Sequence, residues 1–204
     1  MKLLIATGNR HKYQEISAIL ASPHLTFVGL RDLDSPPSVE EHGRTFEANA
    51  ILKAEALARF SGLWTLADDS GLEVEALNNE PGVYSARYAG VPSNDVANNR
   101  KLMTLMAGVT DRRARFRCAI ALSDPSGVTR TVSGACEGLL LVEERGGGGF
   151  GYDPLFVPVG FRETFAELDA TVKNRISHRA RALAAACATW ATVLEQEPRC
   201  WPTS

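Results

Sequence analysis

With 204 residues, of which 45% are hydrophobic and 23% charged, the chain has the make-up of an ordinary globular protein with room for a sizeable core. A formal net charge of −2 excludes the broad electrostatic pull that nucleic-acid polymers and anionic membranes exploit, so any polyanion must be bound locally, by a pocket of Lys, Arg or metal. Cys118, Cys136, Cys187 and Cys200 form no CxxC pair, no run approaches the roughly 20 apolar residues of a bilayer span, and the amino terminus lacks a signal-peptide apolar core, so a reducing cytoplasm is the expected location.

In chain order, "KLLIAT" predicts a short buried strand, broken by "TGNRHK". "KYQEISAIL" then repeats Tyr13, Ile16, Ile19 and Leu20 at helical spacing. After a loop at "SPPS", a helix is predicted from the N-cap Thr45 to a stop at Gly62, with Phe46, Ala50, Ala54 and Leu57 on its buried face. "LWTLA" predicts a buried strand that ends at Asp68, before a Ser-Gly turn. The next helix, "SNDVANNRKLMTLMAG", is expected to be capped by Ser93 and stopped by Gly108. "RARFRCAIALSD" and "TRTVSGACEGLLLV" predict an antiparallel hairpin joined at "PSG". "DPLFVP" follows as a short strand. A final helix starts after Ser177 and buries Leu183, Cys187, Trp190 and Leu194. Strands and helices mix without strict alternation, which predicts an α/β fold with a mixed sheet. One domain over 1–196 and a short tail over 197–204 are expected.

Five segments carry chemistry. In "TGNRHK" a strand feeds a helix through Thr7, Gly8 and Asn9, so backbone N–H groups and the positive end of the helix dipole face whatever lies in front. Arg10, His11 and Lys12 follow in the first turn, and anion binding is the natural use. The spacing is not that of a Walker A loop. Glu40 and Glu41 precede a helix start, where carboxylates are also ordinary dipole partners. The adjacent Asp68 and Asp69, followed by Ser70, exceed what a turn needs. If Glu41 and this pair converge, their repulsion calls for a hard cation such as Mg²⁺.

The run at 146–151 holds five glycines around Phe150 and leads into Tyr152 and Asp153. Such a backbone suits positive φ or close approach, and an aromatic ring on it is a platform for stacking a base. The alternative is a flexible loop with a core-anchoring aromatic. Last, "KNRISHR" sets Lys173 and Arg175 just upstream of His178 and Arg179, which fall in the first turn of the final helix. Cations there oppose the dipole, so a bound anion or polar ligand would account for them.

Seven segments in register, "ATGNRHKYQEI", "EEHGRTFEANAILKA", "ADDSGLEVEAL", "PGVYSARYAG", "ARFRCAIAL", "GGFGYDPLF" and "KNRISHRARAL", resemble the inosine/xanthosine triphosphate pyrophosphatases from residue 3 to about 185. The resemblance implies an elongated mixed sheet flanked by helices, in two lobes with a central cleft, and a Mg²⁺-dependent homodimer. It further implies hydrolysis of dITP, ITP and XTP to monophosphate and pyrophosphate. By the same resemblance Thr7 to Lys12 hold phosphates, Glu41 and Asp69 bind the metal, and Asp69 is the general base with Asp68 beside it. The resemblance also implies that Ser70, the segment Phe150, Gly151, Tyr152, Asp153, and Lys173, His178 and Arg179 contact substrate. Adjacency alone does not say which aspartate is base and which is ligand. One departure is Gly147, where the family usually has Thr or Ser. Rival readings are a pyrophosphatase for modified pyrimidine nucleotides, a nucleotide-binding regulatory module, and an RNA binder that stacks bases on Phe150 and Tyr152.

Overall fold

A computed structural model describes residues 1–194; the expected tail and Cys200 lie outside the described residues. The strands are β1 (Lys2–Ile5), β2 (Thr26–Gly29), β3 (Trp64–Val74), β4 (Glu80–Pro81), β5 (Arg113–Ser123), β6 (Thr129–Leu140) and β7 (Phe156–Pro158). The helices are α1 (Arg10–Ile19), α2 (Phe46–Ser61), α3 (Asp95–Leu105), α4 (Ala170–Ile176), α5 (His178–Thr189) and α6 (Ala191–Leu194). The sheet has the order β2-β1-β3-β5-β6-β7, with β4 paired to β3. It is mixed: β1 runs parallel to β2 and β3, while β4 on β3 and β7 on β6 are antiparallel. This is the α/β class that the sequence predicts.

The chain divides into two compact units. The first comprises Met1–Asp69, Cys118–Gly134 and the described residues from Arg179 onward. Its core joins Leu3 and Ile5 of β1, Ile16 and Ile19 of α1, Leu66 of β3, Cys118 and Ile120 of β5, and Leu183 and Ala186 of α5. The second unit comprises Ser70–Arg117 and Ala135–His178. Leu72, Leu102, Phe116, Tyr152, Phe156 and Phe165 lie in its core, with Phe116 edge-on to Phe156 at a centroid distance of 4.8 Å.

Local chemistry explains most boundaries. Asn9 caps α1, its Oδ1 accepting from the N–H of His11 at 2.8 Å and Lys12 at 3.2 Å. Thr45 caps α2 as predicted, accepting from Ala48 N, and Gly62 closes that helix at φ +67°. The turn between β5 and β6 is built on Asp124, whose Oδ1 accepts from Ser126 N and Val128 N.

Three expectations are corrected. β3 does not end at Asp68; it runs on to Val74, and "DDSG" is extended strand. Gly71 is there for close approach, since a Cβ would sit 2.3 Å from Ser85 Oγ and 2.6 Å from the Gly82 carbonyl. The N-cap of α3 is Asn94, which accepts from Ala97 N, while the Ser93 hydroxyl donates to the Ala86 carbonyl. The final helix is interrupted at Trp190 between α5 and α6. A separate helix, α4, precedes it and carries Lys173 and Arg175 in its last turn. Cations there complement the helix dipole, so a ligand is not needed to account for them.

Candidate active site

The first unit gathers a set of carboxylates and cations at the end of β1 and the middle of β3. Successive residues of a strand point to opposite faces, so the adjacent aspartates are separated by the backbone itself. Asp68 shares the face of Leu66, toward α1 and α5. Its side chain is fully buried, 2.5 Å from Lys12 Nζ and 3.0 Å from Arg179 Nε, and it accepts from Cys118 Sγ at 3.1 Å. Arg179, itself buried, also contacts Glu15. Burial is the largest single influence on Asp68 and favours the neutral acid. The Arg179 and Lys12 cations outweigh it and hold the carboxyl well below the usual range.

Asp69 faces α2. Its Oδ2 accepts from Asn49 Nδ2 at 3.1 Å, and its Oδ1 lies 3.4 Å from Lys53 Nζ. Glu41 approaches the same ammonium at 3.2 Å, so the two carboxylates named from the sequence meet around Lys53. Burial pushes the Asp69 carboxyl up; Lys53 and Lys12 draw it down and Glu41 adds to the rise, leaving it above the ordinary value. Burial acts to lower Lys53, but Asp69 and Glu41 more than reverse this and keep it charged. The proton affinities of the two neighbouring aspartates are thus shifted in opposite directions.

The "TGN" turn is partly self-satisfied: Thr7 Oγ1 accepts from Asn9 N at 3.2 Å, and Asn9 Oδ1 takes the N–H groups of His11 and Lys12. Gly8, Arg10 and His11 are exposed there, and nothing lies within 4 Å of a Cβ built on Gly8.

The remaining predicted residues, Arg179 apart, belong to the second unit. Ser70 is half-buried on β3. Phe150 N donates to Asp153 Oδ2 at 2.9 Å, and the same oxygen meets Lys173 Nζ at 2.5 Å. The Lys173 ammonium lies 4.8 Å from the Phe150 ring centroid. Gly149 and Gly151 have φ +71° and +62°, and a Cβ on Gly149 would lie 2.2 Å from Asp153 Oδ2. Gly147 is different: a Cβ there meets nothing within 4 Å. Tyr152 is buried, its hydroxyl donating to the Ser85 carbonyl at 2.9 Å. His178 is buried with its ring stacked on Phe116, centroids 4.7 Å apart.

Sequence reasoning passed over Asn49, Lys53, Cys118 and Glu15. A signal for two of them was present. Asn49 and Lys53 are spaced i,i+4 and interrupt the apolar stripe Phe46, Ala50, Ala54, Leu57. A polar pair within a buried stripe needs partners, and here the partners are Asp69 and Glu41.

The donor set suits a hard cation. Glu41 and Asp69 offer carboxylate oxygens converging on one point of positive charge, and Mg²⁺ is commonly held by one or two carboxylates plus phosphate and water. Among the described residues no three His, Cys, Asp or Glu side chains are grouped to hold a metal, so an ion here would draw further ligands from substrate and solvent.

A mixed α/β sheet carrying a lysine-bridged acidic pair and a glycine loop defines the class, and the wider match is to one family. The chain belongs to the Ham1 family, whose model matches residues 3–189. It is 52% identical over 185 residues to a dITP/XTP pyrophosphatase of Desulforamulus reducens, covering 90% of this chain and 92% of that one. A dITP/XTP pyrophosphatase of Geobacter sulfurreducens is 50% identical, covering 90% and 93%. The solved structure of the Staphylococcus aureus Ham1 protein superposes with a TM-score of 0.85 at 41% identity, covering 95% of this chain and all of that one.

Proposed function

We propose that the protein hydrolyses the deaminated purine nucleoside triphosphates dITP, ITP and XTP to the monophosphate and pyrophosphate, with Mg²⁺ as cofactor. The observation that carries the mechanism is the asymmetry of the aspartates. Asp68 is an anion committed to Lys12 and Arg179, whereas Asp69 has a raised proton affinity and faces the Glu41–Lys53 group. Asp69 is therefore the base that takes a proton from water attacking the α-phosphorus, a role worth about 10²–10⁴-fold. Glu41 and Asp69 would hold the metal, which when bound supplies positive charge against the phosphate oxygens and the leaving pyrophosphate. Lys12 and Lys53 set two further cations in the acidic group, and the exposed Gly8 lets a phosphate approach the backbone of the "TGN" turn.

In the second unit Phe150 offers a ring face to a base, with Lys173 beside it. Preference for a 6-oxo purine rests on a donor, His178 or Arg179, that would confront the amino group of adenine with another donor. A buried donor left unpaired costs about 1–3 kcal/mol. A homodimer and a cytoplasmic location complete the reading. The exposed Tyr84, Val91 and Val96 of the second unit supply apolar surface for self-association, which sedimentation equilibrium would measure. No helix among the described residues is long and apolar enough to cross a membrane.

The test is a panel of dITP, ITP, XTP, dATP and dGTP with and without Mg²⁺, with products resolved. Pyrophosphate from the first three, dependent on Mg²⁺, is expected. Orthophosphate as the first product would remove α-attack, and equal turnover of dATP would remove the base preference.

A further inference from the structure

The glycine loop is tethered to α3 by two residues that the mechanism does not use. Asp95 and Asn99 are spaced i,i+4, and so lie on one face of that helix. Asp95 Oδ2 accepts from Gly151 N at 2.8 Å, and Asn99 Nδ2 donates to the Gly151 carbonyl at 3.1 Å. Both backbone groups of one glycine are therefore held by one helix. The second hydrogen of Asn99 Nδ2 reaches Glu144 Oε1 at 2.8 Å, on the other side of the glycine run. Asn99 is 3% exposed, and its own Oδ1 is buried without a hydrogen-bond partner. Burying an unmatched acceptor is unfavourable, and the two bonds that the amide nitrogen donates offset that cost.

The run needs such tethers. Gly146, Gly149 and Gly151 occupy positive φ, and a glycine-rich backbone loses more freedom on ordering than any other. Gly148 N donates to the Ala166 carbonyl at 3.0 Å, which fixes the middle of the run. Asp95 and Asn99 fix its flanks, at Gly151 beside Phe150 and at Glu144.

We propose that Asp95 and Asn99 are positioning residues: by clamping Gly151 and Glu144 to α3 they hold the Phe150 ring beside Lys173 and so set the affinity for the base. This rests on the reading that Phe150 contacts substrate. The experiment compares Phe150→Ala, Asn99→Ala, Asn99→Asp, Asp95→Ala, Asp95→Asn and the double variant Phe150→Ala/Asn99→Ala. Steady-state kinetics with ITP and Mg²⁺ are combined with hydrogen–deuterium exchange over residues 144–153.

Asn99→Ala and Asp95→Ala are expected to raise KM about tenfold with kcat nearly unchanged, and to speed exchange in the loop. Asp95→Asn, which keeps an acceptor for Gly151 N, restores KM. Asn99→Asp, which swaps the donors for a charge facing Glu144, is at least as damaging as Asn99→Ala. The double variant is no worse than Phe150→Ala alone, because both act through the ring. Unchanged exchange in both alanine variants overturns the clamp. Faster exchange with unchanged KM, where Phe150→Ala does raise KM, overturns its role in affinity. If Phe150→Ala leaves KM alone, the underlying reading of the ring fails, and exchange still decides whether the clamp exists.

Discussion

Asp68 and Asp69 divide stability from chemistry although they are neighbours in the chain. Asp69→Asn keeps the shape and the Asn49 contact but removes the base; turnover is expected to fall at least about 10²-fold while nucleotide binding persists, as calorimetry would report. Asp68→Asn acts differently, because it leaves the buried Arg179 short of a counter-charge. Breaking a buried pair costs about 3–5 kcal/mol, so this variant should lose that much in urea unfolding. The same residue sets a pH dependence. Its folded proton affinity lies below that of the unfolded chain, so its contribution is complete above the unfolded value of 3.8 and is lost as pH falls toward the depressed folded value. The unfolding free energy should therefore fall with acid below pH 4 more steeply in the parent than in Asp68→Asn.

Among the elements, α2 was the most legible, since its cap, its apolar stripe and its glycine stop are all local features. β3 was read only to its midpoint. Two charged residues followed by Ser-Gly look like a turn to any local rule, and what keeps them extended is distant: Lys53, Arg179 and the Ser85 hydroxyl that accepts from Leu72 N. The sequence singled out Glu41, Asp68, Asp69 and Lys12, because clustered charge is visible along the chain. Lys53 was hidden inside a helix whose pattern it broke at a single position.

The glycine run shows how uneven such a segment is. Gly147→Ser should be accepted with Tm within about 2 °C, since the added atoms enter open space at an ordinary φ. Gly149→Ala places a Cβ against Asp153 at φ +71° and should destabilise by about 1–3 kcal/mol, as a thermal melt would register.

For the molecule as a whole, the described residues include three buried cysteines, Cys118, Cys136 and Cys187, and burial together with Asp68 holds the Cys118 thiol protonated. All three should react with a thiol reagent only as fast as the fold opens, so the labelling rate in urea should track the unfolding transition. Early labelling of any of them would mean that its unit opens separately. Each unit has its own apolar core, and each is assembled from segments that are far apart in sequence. That division is not written in local patterns; chain length allows two lobes, and the resemblance implies them.

The alternation of side chains along β3 makes the strand's alignment with β1 a chemical variable. Slipping it by one residue would exchange the two carboxylates, sending the proton acceptor into the interior and the buried anchor toward α2. A single insertion or deletion between Trp64 and Leu66, far from any phosphate and harmless to composition, should thus abolish turnover as completely as deleting the base itself.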